Sequence, residues 1–174
     1  QKGCDAPNSL IELNGSLVWI GSSENEKPSI WASSGDLPTQ LATPPVTHLI
    51  NQGGIERLQK AFVTKWAEDG HSFLAFTVPD VCTIVFDLQS KLWHQRESIS
   101  DSDQKIPWRA SSLVQAYSQF FVADSLSGKI GILSNDHYME FDKEIHGYFT
   151  TPAIDNNGMP FSINSFELMM ETGI

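Results

Sequence analysis

Residues 61 to 98, AFVTKWAEDGHSFLAFTVPDVCTIVFDLQSKLWHQRES, constrain the fold more than any other stretch, because they read as four short strands joined by tight turns. Ala61 to Trp66 is the first strand, and Glu68-Asp69-Gly70 turns it into Ser72 to Thr77, Asp-Gly being a strong hairpin signal. Pro79-Asp80 breaks the run. Cys82 to Leu88 is a third strand dense in Ile, Val and Phe, and Gln89-Ser90-Lys91 leads into a fourth, Leu92 to Arg96. That is the strand density of one blade of a β-propeller.

The same cadence recurs on both sides. Upstream, Ser9 to Leu13 turns on Asn14-Gly15 and returns as Ser16 to Gly21. A polar loop, Ser22 to Pro28, leads to Ser29 to Ala32, a turn at Ser33-Ser34-Gly35-Asp36, and an outer strand around Thr39 to Ala42. Downstream, Leu113 to Tyr117, Gln119 to Asp124, Lys129 to Leu133 and Tyr138 to Phe141 are separated by turns at Ser127-Gly128 and Asn135-Asp136. Aligning second strands places Leu17, Phe73 and Phe120 in register, at spacings of 56 and 47 residues, close to the ~40 to 50 of propeller repeats. Between the first two units, residues 46–58 have room for one or two helical turns, broken by Gly53-Gly54. Residues 99–105 read as an exposed loop, and the tail 147–172 as a further pair of strands around Asp155-Asn156-Asn157-Gly158.

The predicted architecture is therefore all-β. It is a propeller-type array of four-stranded antiparallel blades, with units at about 9–43, 61–98 and 109–142 and a partial unit at 147–172, in one domain over residues 1–174. The start at Gln1 without Met, and the end just after an apolar run, are read as those of a segment of a longer polypeptide. Unpaired outer blades of such a segment would expose strand edges and favour self-association.

Composition narrows the function. The 21 carboxylates outnumber the 11 Lys and Arg, giving a net charge of -10 with the acids scattered along the chain. A phosphate-gripping protein carries the opposite sign, whereas an acidic wall past which DNA slides without sticking fits like-charge repulsion. Cys4 and Cys82 form neither a metal-ligand spacing nor a disulfide framework, which points to reduced thiols and a reducing compartment. No apolar run reaches membrane-spanning length.

Candidate chemistry is thin. His48, His71, His94, His137 and His146 are scattered, and no metal site is expected from them. Gly-x-Ser-x-Gly, His-Glu-x-x-His and phosphate-binding Gly-rich loops are absent from the sequence. Asp87, Asp124 and Asp142, near strand ends, are the natural pair-forming carboxylates for glycoside cleavage, but Asp in that place more often fixes the next turn. Trp19, Trp31, Trp66, Trp93 and Trp108 could form a sugar-stacking surface, yet their repetition favours packing between blades. No catalytic, cofactor or metal residue is assigned.

Several segments together resemble the packaged-DNA stabilisation proteins, or tail accessory factors, of short-tailed phages. They are Lys2 to Ser9 before a hairpin ending Leu17 to Gly21, Asp69 to Phe73, Phe76 to Pro79, Ile84 to Leu88, and Leu92 to Ser98. Ala123-Asp124 with Ser127 to Ile130, Thr151 to Ile154, Phe166 to Leu168 and Glu171 to Gly173 complete the match. Cys82 departs from the family pattern. The resemblance implies a structural virion protein of the tail, assembled in the host cytoplasm, that helps close the portal channel and stabilises packaged DNA. It implies partners among portal-adaptor and needle proteins and a homo-oligomeric ring, with no enzyme activity, no cofactor and no tight nucleic-acid binding. The rival expectation is a carbohydrate-binding or glycoside-cleaving propeller.

Overall fold

The computed structural model describes residues 3–35, 37–151, 153–167 and 169. Expectations that fall on Gln1, Lys2, Asp36, Pro152, Leu168 and residues 170–174 lie outside them. Three antiparallel sheets follow one another along the chain, and each is built from consecutive strands. The first contains β1 (Ile11–Leu13), β2 (Ser16–Ser23), β3 (Glu26–Ser33) and β4 (Thr39–Gln40). The second contains β5 (Phe62–Glu68), β6 (His71–Val78), β7 (Cys82–Asp87), β8 (Trp93–Ile99) and β9 (Lys105–Pro107). The third contains β10 (Ala110–Ala116), β11 (Gln119–Asp124) and β12 (Ile130–Leu133), and a separate hairpin joins β13 (Met139–Glu140) to β14 (Lys143–Glu144).

The turn chemistry explains the tightest connections. Asn14-Gly15 and Asp69-Gly70 both take positive φ at both positions, 52° and 79° in the first and 49° and 81° in the second. That backbone twist matches the strands it joins and favours Asn, Asp and Gly. Between the first two sheets lie α1 (Pro44–Ile50) and α2 (Ile55–Leu58). Pro44 starts α1 where its missing N–H costs nothing, and Gly54, at φ 76°, separates the two.

The middle sheet is buried on both faces, and strand alternation assigns each face to a neighbour. Leu74, Phe76 and Val78 on β6, opposite Phe86, Ile84 and Cys82 on β7, pack with Val18, Ile20 and Ile30 of the first sheet and with Val46, Ile50 and Leu58 of the helices. Ala75 and Val85 face the other way, joining Trp66, Trp108, Ala110 and Val122 against the third sheet. Sheet thus stacks on sheet on sheet, which is how propeller blades bury their faces. All six residues of β7 are buried, which accounts for the apolar run Ile84-Val85-Phe86 at its centre.

Four strand expectations are corrected. Ser22 to Pro28 is not a loop, because β2 and β3 stay paired out to Ser23 and Glu26, whose Oγ and Oε2 lie 3.2 Å apart. Polar side chains are at no cost on an exposed hairpin end, so polarity there does not signal a break. The expected exposed loop is limited to residues 100–104: Ile99 pairs with Lys105 and a fifth strand, β9, joins the second sheet. Tyr138 to Phe141 is not a fourth strand of the third sheet. Phe141 sits at φ 55° in the β13–β14 turn and places its ring against Gly131 and the Arg109 guanidinium, which takes the chain out of the ladder. In the tail, the described residues between 147 and 169 contain no strand, although the turn expected at Asp155-Asn156-Asn157-Gly158 is formed.

The leading segment caps the first sheet. The Gly3 and Asp5 N–H groups donate to Ser22 O and Ile20 O, at 2.8 and 3.0 Å, extending the β1 side of β2. The 3-10 turn Pro7–Ser9 bulges out of that line, and Ser9 repairs the gap. Its Oγ accepts the Ile20 N–H at 2.8 Å and donates to Ala6 O at 2.6 Å, all of it buried.

Candidate functional site

The carboxylates with most chemical promise close two turns of one design. Asp87 ends β7, and its Oδ2 accepts the Ser90 hydroxyl at 2.6 Å while its Oδ1 accepts the Gln89 N–H at 2.9 Å. Asp124 ends β11, and it accepts the Ser127 hydroxyl and the Leu126 N–H in the same way. In each case the serine Oγ accepts a further N–H, from Leu92 or Lys129, at 3.3 Å. The Asp N–H donates to Leu92 O in one turn and to Lys129 O in the other. Asp-x-x-Ser is therefore a turn that holds its own backbone. It joins the third strand to the fourth in the second sheet, and the second to the third in the third sheet.

Each aspartate also meets a base. His71 Nδ1 lies 2.7 Å from Asp87 Oδ2. Arg109 forks onto Asp124, its Nε donating to Oδ1 at 2.7 Å and its Nη2 to Oδ2, with both side chains buried. Burial alone would raise the Asp87 pKa, but the Ser90, Gln89 and His71 contacts outweigh it and bring the carboxyl down to about 2. The Arg109 fork, against the opposing effect of burial, holds Asp124 well below the usual carboxylate range. Asp142 is exposed and pairs with Lys129 at 3.0 Å. The structure thus commits these aspartates to turns and ion pairs and forms no acid-base pair from them.

The interface between the second and third sheets is aromatic and cationic. Arg96 of β8 lays its guanidinium over the Trp108 ring at 4.2 Å and the Trp66 ring at 5.5 Å. Burial lowers its pKa, and the Glu140 and Glu68 charges act in the opposite direction. Trp66 stacks on Phe73 at 4.9 Å and tilts against Trp108 at 5.5 Å. Two hydroxyls fix the entry to the third sheet: Thr83 Oγ1 accepts the Trp108 N–H at 3.1 Å, and Ser98 Oγ accepts the Arg109 N–H at 3.0 Å.

The remaining tryptophans also point inward. Trp93 tilts against Phe86 at 4.7 Å, and the Trp19 and Trp31 indoles donate to Gly3 O and Gly21 O. Phe73 and Phe120 are only partly buried, at the margin of the same interface. His94 meets Phe73 edge-on at 6.3 Å, and His48, His94, His137 and His146 are all exposed. Among the described residues no three of His, Cys, Asp and Glu gather as metal ligands. Cys82 is buried, its thiol pKa pushed up to about 12 by that burial, and Cys4 is exposed. A crevice of about 500 Å³ opens between the ends of the second and third sheets. Of its charged lining residues, Glu97 and Lys105 pair with each other at 2.9 Å and Asp80 pairs with Arg57 at 3.7 Å.

Sequence reasoning missed Arg96, Arg109, Ser90 and Ser127. The signals were available: Asp-x-x-Ser occurs at 87–90 and again at 124–127, and an arginine directly follows Trp108. Among the described residues, no helix is long and apolar enough to cross a membrane.

The built features are those of a packed, self-bonded β array. No curated protein matches the chain. The family model described as Bacteriophage P22 Gp10, beta-propeller, matches residues 1–138, from the leading segment through all three stacked sheets. Spanning most of the sequence, that match establishes that the chain belongs to this phage-stabilising β-propeller family of structural proteins.

Proposed function

We propose that the protein is a structural component of a phage tail that helps close the portal channel and stabilise packaged DNA, acting by subunit assembly. The observation that carries this reading is the family match over residues 1–138. The geometry is in keeping with it: the aspartates that could have paired for chemistry are spent on turns and ion pairs, and the tryptophans on packing. A net charge of -10 suits a wall that DNA passes without adhering.

On this reading the partners are portal-adaptor and needle proteins, and copies of the chain assemble as a ring beneath the portal. Assembly takes place in the host cytoplasm and the product resides in the virion tail. Such contacts rest on shape and apolar burial at interface centres rather than on a reactive group. The test is co-sedimentation of the purified protein with portal-adaptor complexes of the same phage. Saturable binding at fixed stoichiometry is expected, and a protein that stays in the unbound fraction at every concentration overturns the proposal.

A further inference from the structure

Among the described residues, the outer face of the third sheet is largely exposed and carries no charge. Cross-strand register places Val114, Phe121 and Ile132 in one row and Ser112, Ala123 and Ile130 in the next. Val114, Ile130 and Ile132 are 61%, 72% and 52% exposed. In a chain with a net charge of -10, a charge-free row of this kind marks a surface built for burial. The first and second sheets, and the second and third, already bury such faces against each other.

The same chain carries the complementary piece. Met159 N–H donates to Asn156 O at 2.9 Å across Asn157 and Gly158, whose φ values are 50° and 74°. Gly158 N–H also donates to Asp155 Oδ1 at 3.0 Å. Two positive-φ residues closed by this bond are the turn that nucleates a two-residue β-hairpin. Continuing its register places Ile154 opposite Phe161 and Ala153 opposite Ser162. Met159, Phe161 and Ile163 then share one face with Ile154, and Ser162 and Asn164 take the other. Pro160 falls where the hairpin needs no N–H. All four apolar residues of that face are exposed. A hairpin this short is marginal in water and needs a surface to fold on.

We propose that residues 153–163 close into this hairpin and dock its Ile154-Met159-Phe161-Ile163 face on Val114, Phe121, Ile130 and Ile132 of the same chain. Tyr148 anchors the approach, its hydroxyl donating to Glu97 at 3.3 Å and its ring lying 4.0 Å from Lys105 Nζ. From there the six residues to Ile154 reach about 20 Å. A tether of this length gives an effective concentration in the mM range, which disfavours a second copy as occupant at ordinary protein concentrations. The hairpin brings only Asp155 as a charge, at its turn, so docking opposes no like charge on the sheet.

The test is a spin label at Ser162→Cys, on the polar hairpin face, in the full chain with Cys4→Ser. Paramagnetic loss of the Val114, Phe121 and Ile132 amide signals is expected, with recovery on adding Phe161→Asp. Unchanged signals overturn the proposal, since the label alters neither apolar surface. So does loss that appears only when labelled and isotopically enriched copies are mixed, because the occupant is then a second molecule.

Discussion

Arg109 and Asp124 meet through a two-pronged fork buried where the chain leaves β9 of the second sheet and enters β10 of the third. The same aspartate closes its own turn through Ser127, so one carboxylate ties a hairpin to the strand beside it. Breaking a buried pair on one side leaves the other charge stranded. Arg109→Met is expected to destabilise the protein by about 3 to 5 kcal/mol, read by urea denaturation. The double variant Arg109→Met with Asp124→Asn should recover part of that loss.

Acid should loosen the fold through the aspartate turns. The Asp87 carboxyl lies at about 2 in the folded chain, below the roughly 3.9 of an unfolded one. A depressed carboxylate adds stability that is fully present above the unfolded value and is lost as pH falls toward the folded one. Asp124 is depressed in the same direction. The thermal midpoint should therefore fall between about pH 4 and 2, and fall less steeply in Asp87→Asn. A midpoint that stays level across that window would contradict this assignment.

Ser9 offers a cleaner single-atom test. Replacing it by alanine removes the acceptor for the buried Ile20 N–H without adding bulk. A loss of about 1 to 3 kcal/mol is expected in equilibrium unfolding. Ser9→Thr, which keeps the hydroxyl, should lose less.

The β10–β11 turn carries avoidable strain. Tyr117 and Ser118 sit at φ 52° and 61°, the Tyr117 side chain almost wholly exposed. Left-handed backbone costs an ordinary residue roughly 1 to 2 kcal/mol, and Asn-Gly adopts this turn readily. Tyr117→Asn with Ser118→Gly should raise stability by about 1 kcal/mol, seen as a higher denaturant midpoint.

The legible parts of the fold were those governed by local rules. Asn14-Gly15 and Asp69-Gly70 announced their hairpins, and the apolar run from Cys82 marked the strand that is buried on both faces. Tyr117-Ser118 took the same turn without its usual residues, held by the ladder on either side, so only strand patterning pointed to it. The Ser23–Glu26 hairpin end and β9 were hidden because exposed polar residues pair as well as apolar ones. The Phe141 detour rests on its ring packing beside Gly131 and the Arg109 guanidinium, both distant in sequence, and no local pattern records that. At the site, reading the strand-end aspartates as turn formers was sound for Asp87 and Asp124, but their bases come from elsewhere in the chain, His71 from β6 and Arg109 from the link between β9 and β10. Partners chosen by packing are set by register, and register follows from the fold.

The central claim concerns retention of packaged DNA, and nuclease protection of the genome in filled particles tests it most directly. Particles assembled without the protein are expected to lose their DNA to added nuclease, and particles completed with it to keep that DNA protected. Equal protection with and without the protein would contradict the proposed role.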